Sequence, residues 1–253
     1  RLSKTRSILL TDWFPPNNHP GAEGALFADG VVFIGEPGMF PVPPSLKTCT
    51  RFVGPIVRKM KYVRGNRVIA RAELNIPHDA FVATVMPGAW ANESRVPIAE
   101  IVIQAVETLR VERKMVYWLS GADYDLVRQK TTGKEGFCIL RDHDCVEQLM
   151  IASNVVITKG NRGTIQEAAS LGVPSVAISD LANVVDVLLV AGISSHKTFA
   201  LYALEPAMLS DYLFTIASKG WLPEIGTFHV EASGARLAAE ILRRAVRSPF
   251  NAI

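Results

Sequence analysis

The chain has 253 residues, 49% of them hydrophobic, with 27 basic against 24 acidic side chains for a net charge of +3. That length suits one large α/β domain, or one and a half, and the small charge argues against nucleic acid while leaving room for an anionic ligand. No apolar run approaches the roughly 20 residues of a membrane span and no secretory signal is visible. The three cysteines, Cys49, Cys138 and Cys145, lack CxxC spacing, which points to a reducing, cytoplasmic setting.

Taken in chain order, Ser7–Thr11 predicts a buried strand running into Asp12-Trp13-Phe14-Pro15-Pro16, and Gly30–Ile34 predicts a second. Residues 36–45 hold four prolines and read as an extended connector. Arg51–Gly54 is strand-like and is broken by Pro55. A regular alternation then begins: helix Arg67–Leu74, strand Phe81–Met86, helix Pro97–Arg110, strand Met115–Leu119, helix Asp123–Lys130, strand Gly136–Leu140, helix Cys145–Ala152. Helices over Ala182–Ala191 and Glu205–Lys219, a strand near Thr198–Leu201, and an amphipathic helix Ala232–Val246 complete it. Strands alternating with helices at this spacing predict a doubly wound parallel sheet of Rossmann type beginning near residue 55. With two strands, the part before residue 50 is too small to close a core alone and reads as the tail of a preceding domain. Arg1 in place of methionine agrees with a piece of a longer protein.

The most informative stretch is Asn154–Ile178, a β-branched run, a glycine-punctuated loop, a helical segment and Gly172-Val173-Pro174 before a second apolar run. A glycine loop at the carboxyl end of a strand, followed by a helix, is where open α/β sheets bind anionic ligands. Gly160 and Gly163 keep the backbone open to phosphate oxygens, Lys159 supplies charge, Thr164 a hydroxyl, and Glu167 a carboxylate suited to sugar hydroxyls. A plainer alternative is a capping box, because Thr164 and Glu167 have Thr-x-x-Glu spacing. Gly88, in Pro87–Ser94, is a weaker phosphate candidate after the first strand of the regular part. His143, at the end of a third strand, reads as solvated rather than catalytic, and Asp180 and Asn183 are either sugar ligands or caps. The five histidines are scattered, so no metal motif is present, and GxSxG, Walker and GxGxxG patterns are missing.

Thr158–Ala168 followed by Gly172-Val173-Pro174 resembles the donor-site signature of two-domain GT-B glycosyltransferases. The likeness is to family 28, which includes the lipid II-forming N-acetylglucosaminyltransferase and the monogalactosyldiacylglycerol synthases. Phe52-Val53-Gly54-Pro55-Ile56-Val57-Arg58 is similar to that family's interdomain linker. The resemblance covers roughly residues 50–245. It implies an amino-terminal acceptor-side tail over 1–50, a linker over 51–60 and a donor-binding domain over 61–253. It further implies that Glu167 binds ribose, that Gly88, Gly163 and Thr164 border a diphosphate, and that Arg58 and the backbone around His143 flank a uracil. Asp180 and Asn183 fall in the hexose segment, where Ser179–Asn183 departs from the family's Gln-rich pattern. The implied activity is metal-independent, inverting transfer of a hexose from a UDP-sugar to an acceptor hydroxyl, with no cofactor. The acceptor is left open, a lipid-linked one at the inner membrane face included. The catalytic base is expected upstream of this chain, which alone would be inactive. The alternatives are a UDP-sugar hydrolase or 2-epimerase of the same fold, and a non-catalytic nucleotide-binding module.

Overall fold

A computed structural model describes residues 6–11, 27–35, 37–38, 42–62, 65–87, 96–179, 196–200, 204–219 and 234–246. The chain divides into two compact units, residues 1–59 with 230–253, and residues 60–229.

The second unit holds a six-stranded parallel sheet. Its strands are β4 (Phe81–Met86), β5 (Lys114–Leu119), β6 (Phe137–Leu140), β7 (Val155–Thr158), β8 (Ser175–Ser179) and β9 (His196–Ala200), in the order β6-β5-β4-β7-β8-β9. The helices are α1 (Arg67–Glu73), α2 (Val96–Thr108), α3 (Tyr124–Thr131), α4 (Val146–Ala152), α5 (Arg162–Leu171) and α6 (Pro206–Lys219). This is the doubly wound arrangement expected from the alternating pattern, with its reversal of strand order between β4 and β7.

Strand side chains alternate faces, and the alternation sorts the core into two layers. Phe81, Ala83 and Val85 of β4, Val116 and Trp118 of β5, and Val155 and Ile157 of β7 pack with α2 and α6. Val82, Tyr117 and Val156 face the other way, onto α1, α4 and α5 through Ala70, Leu149, Met150, Ala168 and Leu171. Both faces are covered, which is why these strands read as nearly unbroken apolar runs. Thr84 is a polar exception on the second face. Its hydroxyl is fully buried and satisfied by Leu149 O at 3.1 Å and Ser153 Oγ at 2.7 Å.

The amino-terminal edge of this sheet is fastened by Arg71, 7% exposed. Its guanidinium donates to Ala152 O at 2.8 Å, His78 O at 2.7 Å and Asn154 Oδ1 at 2.8 Å. One side chain thus joins α1, the turn before β4, the end of α4 and the start of β7. Asn154 extends the strand pairing, its own N–H donating to Val82 O at 2.7 Å and its Oδ1 accepting Val82 N–H at 2.8 Å. Asn75, at φ 55°, ends α1 in the left-handed conformation that asparagine tolerates.

The first unit contains a three-stranded parallel sheet, β1 (Ile8–Thr11), β2 (Gly30–Phe33) and β3 (Thr50–Phe52), and the last helix, α7 (Gly234–Ala245). Here the structure corrects the sequence reading. The amino-terminal strands do find a core partner, because Ala238, Ile241 and Ala245 of α7 pack with Val32 and Val53. Residues 230–253 therefore group with the first unit, not with a domain running from 61 to 253. The amphipathic pattern predicted the helix, but an apolar stripe does not specify which sheet it meets. Gly234 shows how closely α7 approaches, since a Cβ there would lie 2.3 Å from Pro55 O. Arg6 donates to Ala245 O at the helix end, where a cation is favoured. The helix expected over Ala182–Ala191 lies outside the described residues.

Two outcomes follow for stability. Arg71→Met should lower the unfolding free energy by about 3 kcal/mol in urea, since three buried acceptors lose a charged donor. A loss under about 1 kcal/mol would show that the acceptors find other partners. Gly234→Ala should speed amide exchange across 234–245 about tenfold while leaving β4 and β5 unchanged, as the helix lifts locally.

Candidate functional site

At the carboxyl edge of the larger sheet, Met86 of β4 pairs with Thr158 of β7, and Thr158 with Ala177 of β8. Loops leaving these strands therefore emerge side by side at the switch point, where doubly wound sheets take ligands. The loop after β7 is Lys159-Gly160-Asn161. Gly160 has φ 99°, a left-handed geometry that disfavours any side chain, and is buried. It turns the chain sharply enough for α5 to begin at Arg162.

The start of α5 lacks the cap its sequence suggests. Asn161 occupies the N-cap position, at φ −61° and ψ 118°, yet its side chain makes no capping bond. Its carbonyl accepts the N–H of Ile165 at 3.1 Å. The N–H groups of the first helical turn have no intrahelical acceptor and carry the positive end of the helix dipole. Thr164 is the third residue of the helix and Glu167 lies in its second turn. The capping-box reading therefore fails, because that motif needs Thr164 at the N-cap.

Gly163 and Glu167 are four residues apart and share one helix face, their Cβ positions about 5–6 Å apart by helical geometry. A Cβ at Gly163 would meet nothing within 4 Å, so packing does not demand glycine there. Gly163 is exposed and Glu167 half-buried, while Gln166 turns inward and is 4% exposed. The result is a bare, positively polarised helix start with a carboxylate one turn below it. An anionic group fits the upper position and hydroxyl groups the lower. The half-buried Lys159 and Arg162 add positive charge beside the upper position. At the far end Gly172, φ 72°, stops the helix with its N–H on Ala168 O and Ala169 O.

His143 lies on the same edge, in the loop after β6, roughly 14 Å across three strand spacings from β7. Its Nδ1 accepts the N–H of Cys145 at 3.1 Å, so the ring serves its own turn. Ser120 donates through both N–H and Oγ to Leu140 O at 2.9 Å, and Gly121 N–H donates to Arg141 O at 3.0 Å. These bonds tie the ends of β5 and β6 together. The Arg141 guanidinium lies 4.7 Å from the Tyr124 ring centroid.

The back of α5 is braced as well. Ser170 Oγ meets the sulfur of Met60 at 3.9 Å, and Lys61 N–H donates to Glu147 Oε1 at 3.2 Å. Tyr62, 4% exposed, donates to Glu73, which also accepts Gln148 Nε2 at 2.8 Å. That bond to Glu73, reinforced by burial, raises the Tyr62 pKa above its ordinary value.

Of the residues singled out from sequence, Lys159, Gly160, Gly163, Thr164 and Glu167 come together on one loop and helix, with His143 farther along the same edge. Arg58 is exposed and belongs to the first unit. Gly88, Asp180 and Asn183 lie outside the described residues. Sequence reasoning missed the uncapped Asn161 and the shared face of Gly163 and Glu167, although their i, i+4 spacing was available. It also missed Thr158, whose fully buried Oγ1 has no hydrogen-bond partner among the described residues. Two cavities lie elsewhere among the described residues. One of about 500 Å³ opens at the opposite edge and one of about 710 Å³ between α2 and α6. Among the described residues, no group of three or more His, Cys, Asp or Glu is placed to hold a metal, and no helix is long and apolar enough to cross a membrane.

No protein-family model and no curated protein sequence matches the chain. Solved structures do. The glycosyltransferase of kitacinnamycin superposes with a TM-score of 0.61 at 17% identity, over 86% of this chain and 55% of its own. MurG of Acinetobacter baumannii gives 0.67 at 13%, over 95% and 67%. HepE of Anabaena, solved with UDP and glucose, gives 0.55 at 13%, over 96% and 72%. The chain thus spans between about half and three quarters of these neighbours' length. The fold is that of the GT-B glycosyltransferases.

Because nothing packs at the Gly163 Cβ position, Gly163→Ala should leave thermal stability unchanged or raise it, by up to about 1 kcal/mol. A clear drop in the melting temperature would show a structural need for this glycine.

Proposed function

We propose that this chain is the donor-binding portion of an inverting glycosyltransferase that takes a UDP-sugar. The observation that carries the reading is the face shared by Gly163 and Glu167 at the uncapped start of α5. The diphosphate sits against the first-turn N–H groups, and Glu167 accepts hydrogen bonds from the ribose hydroxyls one turn below. The uracil lies toward the loop of His143, where the Ser120–Leu140 ties hold the backbone still. Gly88, Asp180 and Asn183 serve the phosphate and the hexose. The neighbours support a nucleotide-sugar ligand, since one of them was solved with UDP and glucose.

In the reaction, the oxygen of an acceptor hydroxyl bonds to the anomeric carbon as the bond to the diphosphate oxygen breaks. The hydroxyl proton passes to a base outside the donor site, and the configuration inverts. Negative charge grows on the departing diphosphate. The helix dipole, the first-turn N–H groups, and Lys159 with Arg162 stabilise that charge without a metal. These donors are fixed before the reaction, so little reorganisation is needed as charge develops.

Calorimetry with UDP, GDP, dTDP and ADP tests the reading. UDP should bind most tightly, with affinity unchanged by EDTA. Glu167→Ala should weaken it about 10- to 100-fold, the value of one or two charge-assisted hydrogen bonds, and Gly163→Ala should weaken it without loss of stability. Equal binding of UDP by Glu167→Ala and the unaltered chain would remove the ribose assignment. Free or epimerised sugar as the product would favour the hydrolase or epimerase alternative over transfer.

A further inference from the structure

At the amino-terminal edge of the larger sheet, opposite the start of α5, lies a cavity of about 500 Å³. Its volume is within the range of small-molecule sites. Arg67 and Arg71, a helical turn apart on α1, line it together with Asn154; the rest of the lining mixes apolar Ile76, Phe81 and Val111 with the charged Asp79, Glu112 and Arg113.

Three arginines, Arg67, Arg71 and Arg113, face two carboxylates, Asp79 and Glu112, so the lining keeps a positive excess. Arg67 Nη2 donates to Ser153 O at 2.6 Å and Arg71 Nε to Ala152 O at 2.8 Å, both at the end of α4. A helix carboxyl end offers at most roughly half a negative charge, against two full positive ones. Among the described residues no carboxylate hydrogen-bonds to either guanidinium. Asp79, whose charge acts on Arg71, is held by Arg113 at 3.0 Å. Arg67 registers the imbalance: burial, then the charge of Arg71, pull its pKa down to about 10. Its Nε is buried with no hydrogen-bond partner among the described residues.

Asn154 adds an oriented donor. Its Oδ1 accepts from both Arg71 Nη2 and Val82 N–H, each at 2.8 Å, so a flipped amide would set donor against donor. The Nδ2 is therefore the group left to donate, and Asn154 lines the cavity.

We propose that this cavity is a second ligand site, one that takes a phosphorylated small molecule of hexose-phosphate size. The phosphate is held by Arg67 and Asn154, with Arg113 shared between it and Asp79. The carbon skeleton lies along Ile76, Phe81 and Val111, and its hydroxyls donate to Asp79 and Glu112. A cavity this large exceeds free phosphate several times over, and a lining that joins arginines with the carboxylates of Asp79 and Glu112 suits a phosphate ester that also carries hydroxyls. The site lies across the sheet from α5 and is independent of what binds there.

The test is an NMR titration of the full chain, following the Arg67 Nε–H and Asn154 Nδ2 signals with glucose 6-phosphate, inorganic phosphate, glucose and UDP. Saturable shifts at both groups with glucose 6-phosphate are expected at millimolar concentration, with weaker binding of phosphate and none of glucose. UDP should leave both signals in place. Arg67→Gln should weaken the ester at least tenfold and Arg67→Lys less. Ala72→Phe, which fills the cavity from an exposed position and removes no polar group, should also weaken it. No saturable shift, an equal response to glucose, or unchanged affinity in Ala72→Phe would overturn the site. Equal affinity for inorganic phosphate would overturn the organic part of the assignment.

Discussion

All six strands of the larger sheet run the same way, and most of what can happen on this protein follows from that. A parallel pair cannot be joined by a tight turn, and among the described residues β4, β5, β6 and β7 are each joined to the next strand through a helix. The crossovers bring the carboxyl ends of strands and the amino ends of helices to one edge. That edge collects unpaired N–H groups and positive dipole ends, and the opposite edge collects helix carboxyl ends. Arg71 and Arg67 sit where carbonyls accumulate, and the bare start of α5 sits where N–H groups do. The two edges are thus chemically unlike before any side chain is chosen.

Side chains then decide how much of each edge is left open. At the amino edge, Arg71 and Asn154 use nearly all their inward-facing groups on backbone partners and on each other. At the carboxyl edge the protein does the reverse. Asn161, which is well suited to capping, leaves α5 uncapped, and Gly163 forgoes helix propensity without any packing reason. Local rules broken without a structural gain are a mark of function. The same logic gives meaning to Thr158, a fully buried hydroxyl with no hydrogen-bond partner among the described residues.

Much of the fold was legible in the chain. The elements from Arg67 to Thr158 appear within a few residues of where periodicity places them, because buried parallel strands and two-faced helices leave strong patterns. The loop at Lys159–Asn161 was legible for a related reason, since glycine at a strand end has few other uses. The capping-box alternative for Thr164 and Glu167 was not resolvable from spacing. A helix that begins at Arg162 and one that begins two residues later share the same residues, and only backbone geometry separates them.

The sequence by itself determined which of the described segments are helix and strand, that the strands run parallel, and where a glycine loop joins a strand end to a helix. These depend on local periodicity and on the stereochemistry of glycine and proline. Only the tertiary structure decided that α7 packs with Val32 of β2 and Val53 just past β3 rather than closing the larger domain. Only it showed that α5 starts uncapped, and that Arg67 and Arg71 face a cavity with no carboxylate bonded to either. Each of these is a question of which surface meets which across long stretches of chain. An amphipathic stripe, a cap residue or a charge records that it needs a partner, and long-range packing chooses the partner.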